Sequence, residues 1–318
     1  MRIIYIILAL LLFFSFQSEA KNKEIMGKTK LSWVENDTTF ALIENDHVLW
    51  QFNYNTKYGK PFFHPIFVKQ NRITCLSPDD HPWHLGQWFS WKYINGVNYW
   101  EYIDKSFHSE GITEIKNIKF KKKPDYSAKI SIGIEYHPKD AKTVLKEIRV
   151  MQISPPQKNG TVCVDYDFNF EAIADEVVLD RTPIEGQPNG KPWGGYAGLS
   201  IRFNQDFRNS RFVSSIGDNI NVNGKTGDYF YMGFTGVDGK QVGTAIMISY
   251  DSKRDGEAWY TVNTPKVPFY YLSPAYLYYK PLMLTKGEHL NIKYRVVHLQ
   301  GDVSEESLNK VYDKFVKR

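Results

Sequence analysis

The sequence predicts an all-β fold, a large antiparallel β-sandwich with a short C-terminal helix. Three observations predict it. Apolar and polar residues alternate from end to end, turn dipeptides such as Asn223-Gly224, Asp238-Gly239 and Lys286-Gly287 punctuate that alternation, and helical periodicity is confined to the tail. Strands at this density without intervening helices pack sheet on sheet.

In chain order, residues 1–20 (MRIIYIILALLLFFSFQSEA) place Arg2 before an apolar run from Ile3 to Phe16, with Ser18 and Ala20 at the end. This reads as a secretory signal peptide cleaved after Ala20, too short and wrongly flanked for a stable transmembrane helix. Residues 21–318 are then expected to form a single exported domain, periplasmic or secreted, with no membrane association. Strand candidates follow. HVLWQFNY (47–54) is one; AKISIGIEY (128–136) puts Ile130, Ile132 and Ile134 on one face; TVCVDYDFNF (161–170) does the same with Val162, Val164, Tyr166, Phe168 and Phe170. GLSIRF (198–203), DYFYMGF (228–234), GTAIMISY (243–250), FYYLS (269–273) and HLNIKYRVVHL (289–299) complete the set. In the tail, Ser304 and Ser307 can cap a helix carrying Leu308, Val311, Tyr312 and Phe315 on one face. No repeat or Pro/Gly hinge divides the chain.

Lys and Arg number 40 against 35 Asp and Glu, a formal charge of +5 that favours the approach of an acidic substrate. The excess is scattered apart from Lys119, Lys121, Lys122 and Lys123, which are expected to cap a turn, so no nucleic-acid partner is expected. Cys75 and Cys163 are too few for a disulfide scaffold and are expected as buried thiols. Aromatic residues make up 15% of the chain, more than packing needs, which suits a sheet that stacks ligands.

The densest chemistry lies in DDHPWHLGQWFSWKY (79–93). Histidine, with an unperturbed pKa of roughly 6.5, exchanges protons near neutrality, so His81 and His84, joined by His64 in GKPFFHPI (59–66), are acid/base candidates. Each lies near Pro65 or Pro82, where a rigid turn can aim a side chain inward. The same groups can instead hold a loop. With Asp80, His81 and His84 also offer carboxylate and imidazole ligands to a divalent metal, although no HExxH spacing is present. Trp83, Trp88, Trp91, Trp100 and Trp193 can stack on sugar faces, though packing claims some of them, and Trp83, Trp88 and Trp91 cannot share one face of a regular strand.

A second cluster, EGQPNGKPWGGYAGLSIRF (185–203), gathers Glu185, Gln187, Asn189, Lys191 and Tyr196 before Arg202, which can pair internally or grip a substrate carboxylate. A third, YYLSPAYLYYKP (270–281), holds Tyr271, Tyr276, Tyr278, Tyr279 and Lys280. A tyrosine there serves as acid or base only if a cation such as Lys280 or Arg202 lowers its pKa from near 10. No G-x-S-x-G elbow, Walker loop or Rossmann fingerprint is present, which disfavours acyl transfer, nucleotide hydrolysis and nicotinamide chemistry.

GKPFFHPI, SPDDHPWHLGQWFSWKYINGVNYWE (77–101), PWGGYAGLSIRF and LTKGEHLNIKYRVVHLQG (284–301), in this order, resemble the PmoA-like family of exported bacterial proteins. That family's name evokes a methane oxygenase, a membrane protein this chain does not match. The resemblance implies a galactose-mutarotase-like supersandwich and a place in polysaccharide degradation, including the oligosaccharide dehydratase of ulvan breakdown. Where the pattern more often has a basic residue after the second histidine, this chain has Leu85.

The favoured expectation is a carbon–oxygen lyase that removes water from a uronic acid in an acidic oligosaccharide. His64, His81 and His84 would move protons, with Tyr271 or Tyr279 in reserve; Arg202, Arg72 and Lys92 would hold the carboxylate, and Trp83, Trp88 and Trp193 the sugar. No cofactor is required, and a divalent metal is compatible. Two alternatives stay open: a glycoside hydrolase using Asp80, Glu101 or Glu185, and a non-catalytic sugar-binding protein.

Overall fold

A computed structural model describes residues 30–104 and 107–317. The expected signal peptide at 1–20 lies outside the described residues. The architecture is the expected antiparallel sandwich. One nine-stranded sheet runs, in spatial order, Leu31–Glu35, Thr39–Glu44, His47–Asn53, Phe62–Val68, Gln87–Ser90, Gly198–Arg202, Phe269–Ala275 and Ala258–Thr264, with Asn71–Arg72 pairing Phe62–Val68. The second runs Gly217–Asp218, Arg208–Ser214, Tyr229–Thr235, Gln241–Ile248, His289–Gln300, Val162–Ala172, Leu145–Ile153, Ala128–Pro138 and Gly111–Lys122. A four-stranded sheet, Leu282–Thr285, Glu176–Asp180, Tyr93–Ile94 and Val97–Asn98, lies beside them.

The strands at 31–35, 39–44, 62–68, 111–122, 145–153, 176–180, 208–214, 258–264 and 282–285 are among those not anticipated. Gly111–Lys122 shows why: its burial does not alternate cleanly, and it forms a sheet edge. Only Lys123 opens the following turn. Lys119, Lys121 and Lys122 are exposed along that edge, contrary to the turn-capping expectation, and charge there discourages pairing with another chain.

The core fills the space between the two large sheets. Phe63 and Phe89 from the first meet Tyr166 and Phe168 from the second, with Phe89 and Phe168 centroids 4.5 Å apart. Ile130, Ile132, Ile134 and the Val162 to Phe170 series point inward as expected. Trp91 is part of this core, against Phe89 and Phe170, and is not available to a sugar. A polar network crosses it: Tyr166 accepts from Gln87 Nε2 at 2.7 Å, and the buried His298 ring joins Gln87 Oε1 at 2.7 Å and Thr244 Oγ1 at 2.8 Å. Cys75 and Cys163 are not joined, and both are half-buried, not buried as expected.

The C-terminal helix Glu305–Val316 has the expected reciprocal Ser304–Ser307 capping box, which satisfies otherwise unpaired backbone donors. Leu308, Val311, Tyr312 and Phe315 seat it on Tyr229, Tyr231 and Met247. Among the described residues no helix is long and apolar enough to cross a membrane.

Alternation in the first sheet creates the face that matters for function. Phe63, Phe89, Leu199 and Leu272 go to the core, so Phe62, Trp88, Ser200, Arg202 and Tyr271 emerge on the opposite face. That face carries a separate aromatic cluster.

Candidate functional site

The histidine loop is built by local turns on this outer face. His81 N donates to Pro78 O and His84 N to His81 O, both at 3.0 Å, while Ser77 Oγ donates to Pro82 O at 2.7 Å. Gly86, with φ +75°, follows directly. A Cβ there would lie 2.6 Å from Phe63 O, so glycine lets the loop lie against the neighbouring strand.

The loop closes a cavity of about 330 Å³ walled by His81, Trp83, His84, Trp100, Glu101, Trp193, Tyr196, Tyr260, Phe269 and Tyr271. The His81 and His84 rings stack with centroids 4.6 Å apart. His84 is buried, and its Nδ1 has no partner among the described residues. Burial, then the charges of His81, Arg202 and Lys60, hold its pKa well below the ordinary histidine value. It is therefore a neutral base at neutral pH. His81 is partly exposed, with Nδ1 3.0 Å from Asp80 Oδ2, within ion-pair range but off the line a hydrogen bond requires. Asp80 also accepts from Arg202 Nη2 at 2.8 Å. Burial pushes the Asp80 carboxyl up, but Arg202 and His81 outweigh it and hold it below the carboxylate range.

Glu101 forms the opposite polar wall. Asn98 Oδ1 accepts from Trp100 N at 2.8 Å and fixes the turn that presents it. The carboxylate accepts from Tyr196 OH at 2.7 Å, from Asn98 Nδ2 at 2.8 Å and from Lys92 Nζ. Burial raises its pKa, but Lys92 and these hydrogen bonds prevail and keep it ionised. Behind Trp100, buried Lys60 donates to its carbonyl at 2.7 Å; burial, with Lys92 adding and Glu101 opposing, lowers the ammonium to about 7.

Several expected roles change. Arg202 is fully buried, 3.6 Å from the Phe269 ring centroid, so it acts through Asp80 and cannot grip a substrate carboxylate. Lys92 is likewise buried and held by Glu101. Trp88 is fully buried behind His84, 5.1 Å from its ring, with no face for a sugar. His64 lies outside the cavity wall, its Nδ1 joined to Thr74 Oγ1 at 2.9 Å; burial, then Arg72, lowers it to about 4. Arg72, Tyr279 and Glu185 are exposed and also lie outside the wall. Tyr271 lines the cavity and is hydrogen-bonded to Ser200 Oγ at 2.6 Å, but burial drives its pKa up, the wrong direction for a base. Lys280, the other cation expected to lower it, pairs with Asp255.

Among the described residues no three His, Cys, Asp or Glu side chains converge as a metal site. Asp80, His81 and His84 do not fit one, because the imidazoles stack face to face instead of aiming nitrogens at a common point. Tyr260 and Phe269 in the wall, and Lys60 behind it, were not anticipated. The aromatic, β-branched run AWYTVNT (258–264) was the available signal for Tyr260.

Buried neutral histidines link stability to pH. His64 at about 4, His298 at about 3 and His84 lie below the unfolded value of roughly 6.5, so between these values the unfolded chain binds protons that the native chain does not. Stability therefore falls as pH drops below about 6.5, by up to ~1.4 kcal/mol per pH unit for each histidine. Urea midpoints measured from pH 7 to pH 4 should decline; a flat profile would contradict the neutral assignments.

The profile of a family of unknown function (DUF6807) matches residues 39–313. No curated protein matches the chain. Among solved structures, an α-galactosidase from Lactobacillus brevis is similar at 7% identity and a TM-score of 0.42, over 88% of this chain and 40% of its own. The GH36 α-galactosidase AgaB from Geobacillus stearothermophilus is similar at 9% identity and 0.44, over 86% of this chain and 41% of its own. A galactose mutarotase related enzyme from Lactobacillus acidophilus gives 9% and 0.33, over 87% of this chain and 99% of its own. The chain spans about two fifths of the length of the two galactosidases. Likenesses this distant bear on neither substrate nor reaction.

Proposed function

The chain belongs to the DUF6807 family of unknown function, and on that premise we propose that it is an exported enzyme acting on acidic oligosaccharides. It eliminates water from a terminal uronic acid, leaving an unsaturated uronate. One observation carries this reading: a buried, neutral His84 stacked on an Asp80-linked His81 inside an aromatic-walled cavity. His84 takes the C5 proton, the C5–H electron pair becomes the C4–C5 double bond, and the C4 hydroxyl leaves as water with a proton from His81. Exchange with solvent resets both rings. Pairs of titratable groups in contrasting environments are a recurrent basis for such divided roles.

Arg202 and Lys60, buried behind the walls, act on His84 through space. The formal charge of +5 over the whole chain favours the approach of an acidic substrate. The resemblance of 77–101 to the PmoA-like pattern suggested this substrate class, whereas the family model that matches the chain is DUF6807. Two-carboxylate hydrolysis is disfavoured, because it needs one protonated carboxyl and both Asp80 and Glu101 are held ionised.

Trp193, 58% exposed at the cavity, is placed to stack on a sugar ring. Trp193→Ala should weaken substrate binding by about two- to tenfold, from ~0.5–1.5 kcal/mol of ring contact, with kcat and the unfolding midpoint little changed. Steady-state kinetics beside thermal unfolding checks this.

The reaction itself is tested with saturated uronate-ended oligosaccharides. Ultraviolet absorbance of a conjugated double bond should rise while product mass falls by one water. New reducing ends without absorbance would replace the proposal with hydrolysis, and binding without chemical change would reduce the protein to a sugar-binding module.

A further inference from the structure

Alternation along Ala258–Thr264 sends Tyr260 and Val262 to the histidine cavity and Trp259 to the other face. There a second cavity, about 320 Å³, is lined by Ser215, Asp228, Lys253, Arg254, Glu257 and Trp259, with Ile216 and Ile248 as apolar wall. Glu257 and Trp259 are two residues apart, 5% and 1% exposed, and neither Glu257 Oε1 nor Trp259 Nε1 has a hydrogen-bond partner among the described residues. Buried polar atoms are nearly always partnered, so a buried acceptor and a buried donor lining one cavity point to a ligand. Gly227 lets the chain pass close to the donor: a Cβ there would lie 3.2 Å from Trp259 Nε1.

The surrounding charges select the ligand class. Lys253 pairs with Asp228, and Arg254 donates to the carbonyls of Tyr276, Lys280 and Pro281. A cation would meet Lys253 and Arg254, and an anion would meet Glu257 and Asp228. The volume is at the small end of ligand pockets, which span roughly 300–1,000 Å³. We propose that this cavity is a second binding site for a neutral, hydroxyl-rich ligand of about one sugar ring. The ligand displaces the side chains that cover these atoms, so that one of its hydroxyls donates to Glu257 Oε1 and another of its oxygens accepts from Trp259 Nε1. Burial raises the Glu257 carboxyl to about 7, as expected for an acceptor that no protein group compensates fully.

The test reads the Trp259 indole resonance of the full chain, assigned with Trp259→Phe, during titration with D-glucose and D-galactose, and separately with sulfate and tetramethylammonium. A saturable shift with a neutral hexose is expected, at least tenfold weaker in Glu257→Leu and in Gly227→Ala, and retained in His84→Phe. No saturable shift with either hexose, a response to sulfate or tetramethylammonium alone, or hexose binding that survives both substitutions unchanged would overturn the site. The wild-type titration decides even if a variant fails to fold, and it does not depend on turnover at the histidine cavity.

Discussion

His84→Phe is expected to lower turnover by about 10²- to 10⁴-fold, the usual contribution of a positioned general base. The ring is buried among Trp88, Trp100, Phe269 and Tyr271, so phenylalanine keeps much of the packing and removes both ring nitrogens. The unfolding midpoint should therefore move far less than the rate. Turnover within threefold of wild type would remove His84 from the chemistry. A loss of rate matched by a loss of folded protein would make the residue structural.

Glu147→Gln should cost about 3–5 kcal/mol of stability, the range for leaving a buried charge without its partner. Glu147 and Arg149 lie two apart on Leu145–Ile153, so both point between the sheets, where their side chains are 0% and 2% exposed. The carboxylate accepts from Arg149 and from Tyr136 OH, and the guanidinium lies 5.1 Å from the Phe168 centroid and 5.4 Å from that of Phe89. A neutral amide cannot offset that cation. The double replacement Glu147→Leu with Arg149→Met removes both charges and should recover most of the loss. Urea denaturation of both variants decides, and equal losses would contradict the assignment.

Strand periodicity was legible where the face buried against the facing sheet is apolar; Leu145–Ile153 alternates in burial but was hidden because Glu147 and Arg149 stand on its inward face. Ile130, Ile132 and Ile134 alternate because the other face of that strand is more open, and the helix could be read because its capping box is local. Gly111–Lys122 was hidden because it is an edge with little buried surface. In the cavity wall, His81, His84 and Trp83 were legible from a loop dense in titratable and aromatic groups, and Trp193 from the polar, glycine-rich run 185–203. His64 was misgrouped because sequence proximity to a proline says nothing about which side of Phe62–Val68 it faces. Arg202 and Lys92 were identified as cations, but only tertiary structure shows that both are buried, Arg202 with Nη2 on Asp80 and Lys92 on Glu101. Tyr260 and Phe269 come from strands far along the chain, and their approach to 81–84 depends on sheet order, which local pattern does not encode.

The most direct measurement follows deuterium placed at C5 of a saturated terminal uronate. During turnover by the wild-type protein, the label should pass to solvent water in step with the appearance of the C4–C5 double bond, with neither process detectable in His84→Phe above the expected residual rate. Product that retains C5 deuterium, or label release unaffected by removal of the His84 imidazole, would contradict proton abstraction at this site.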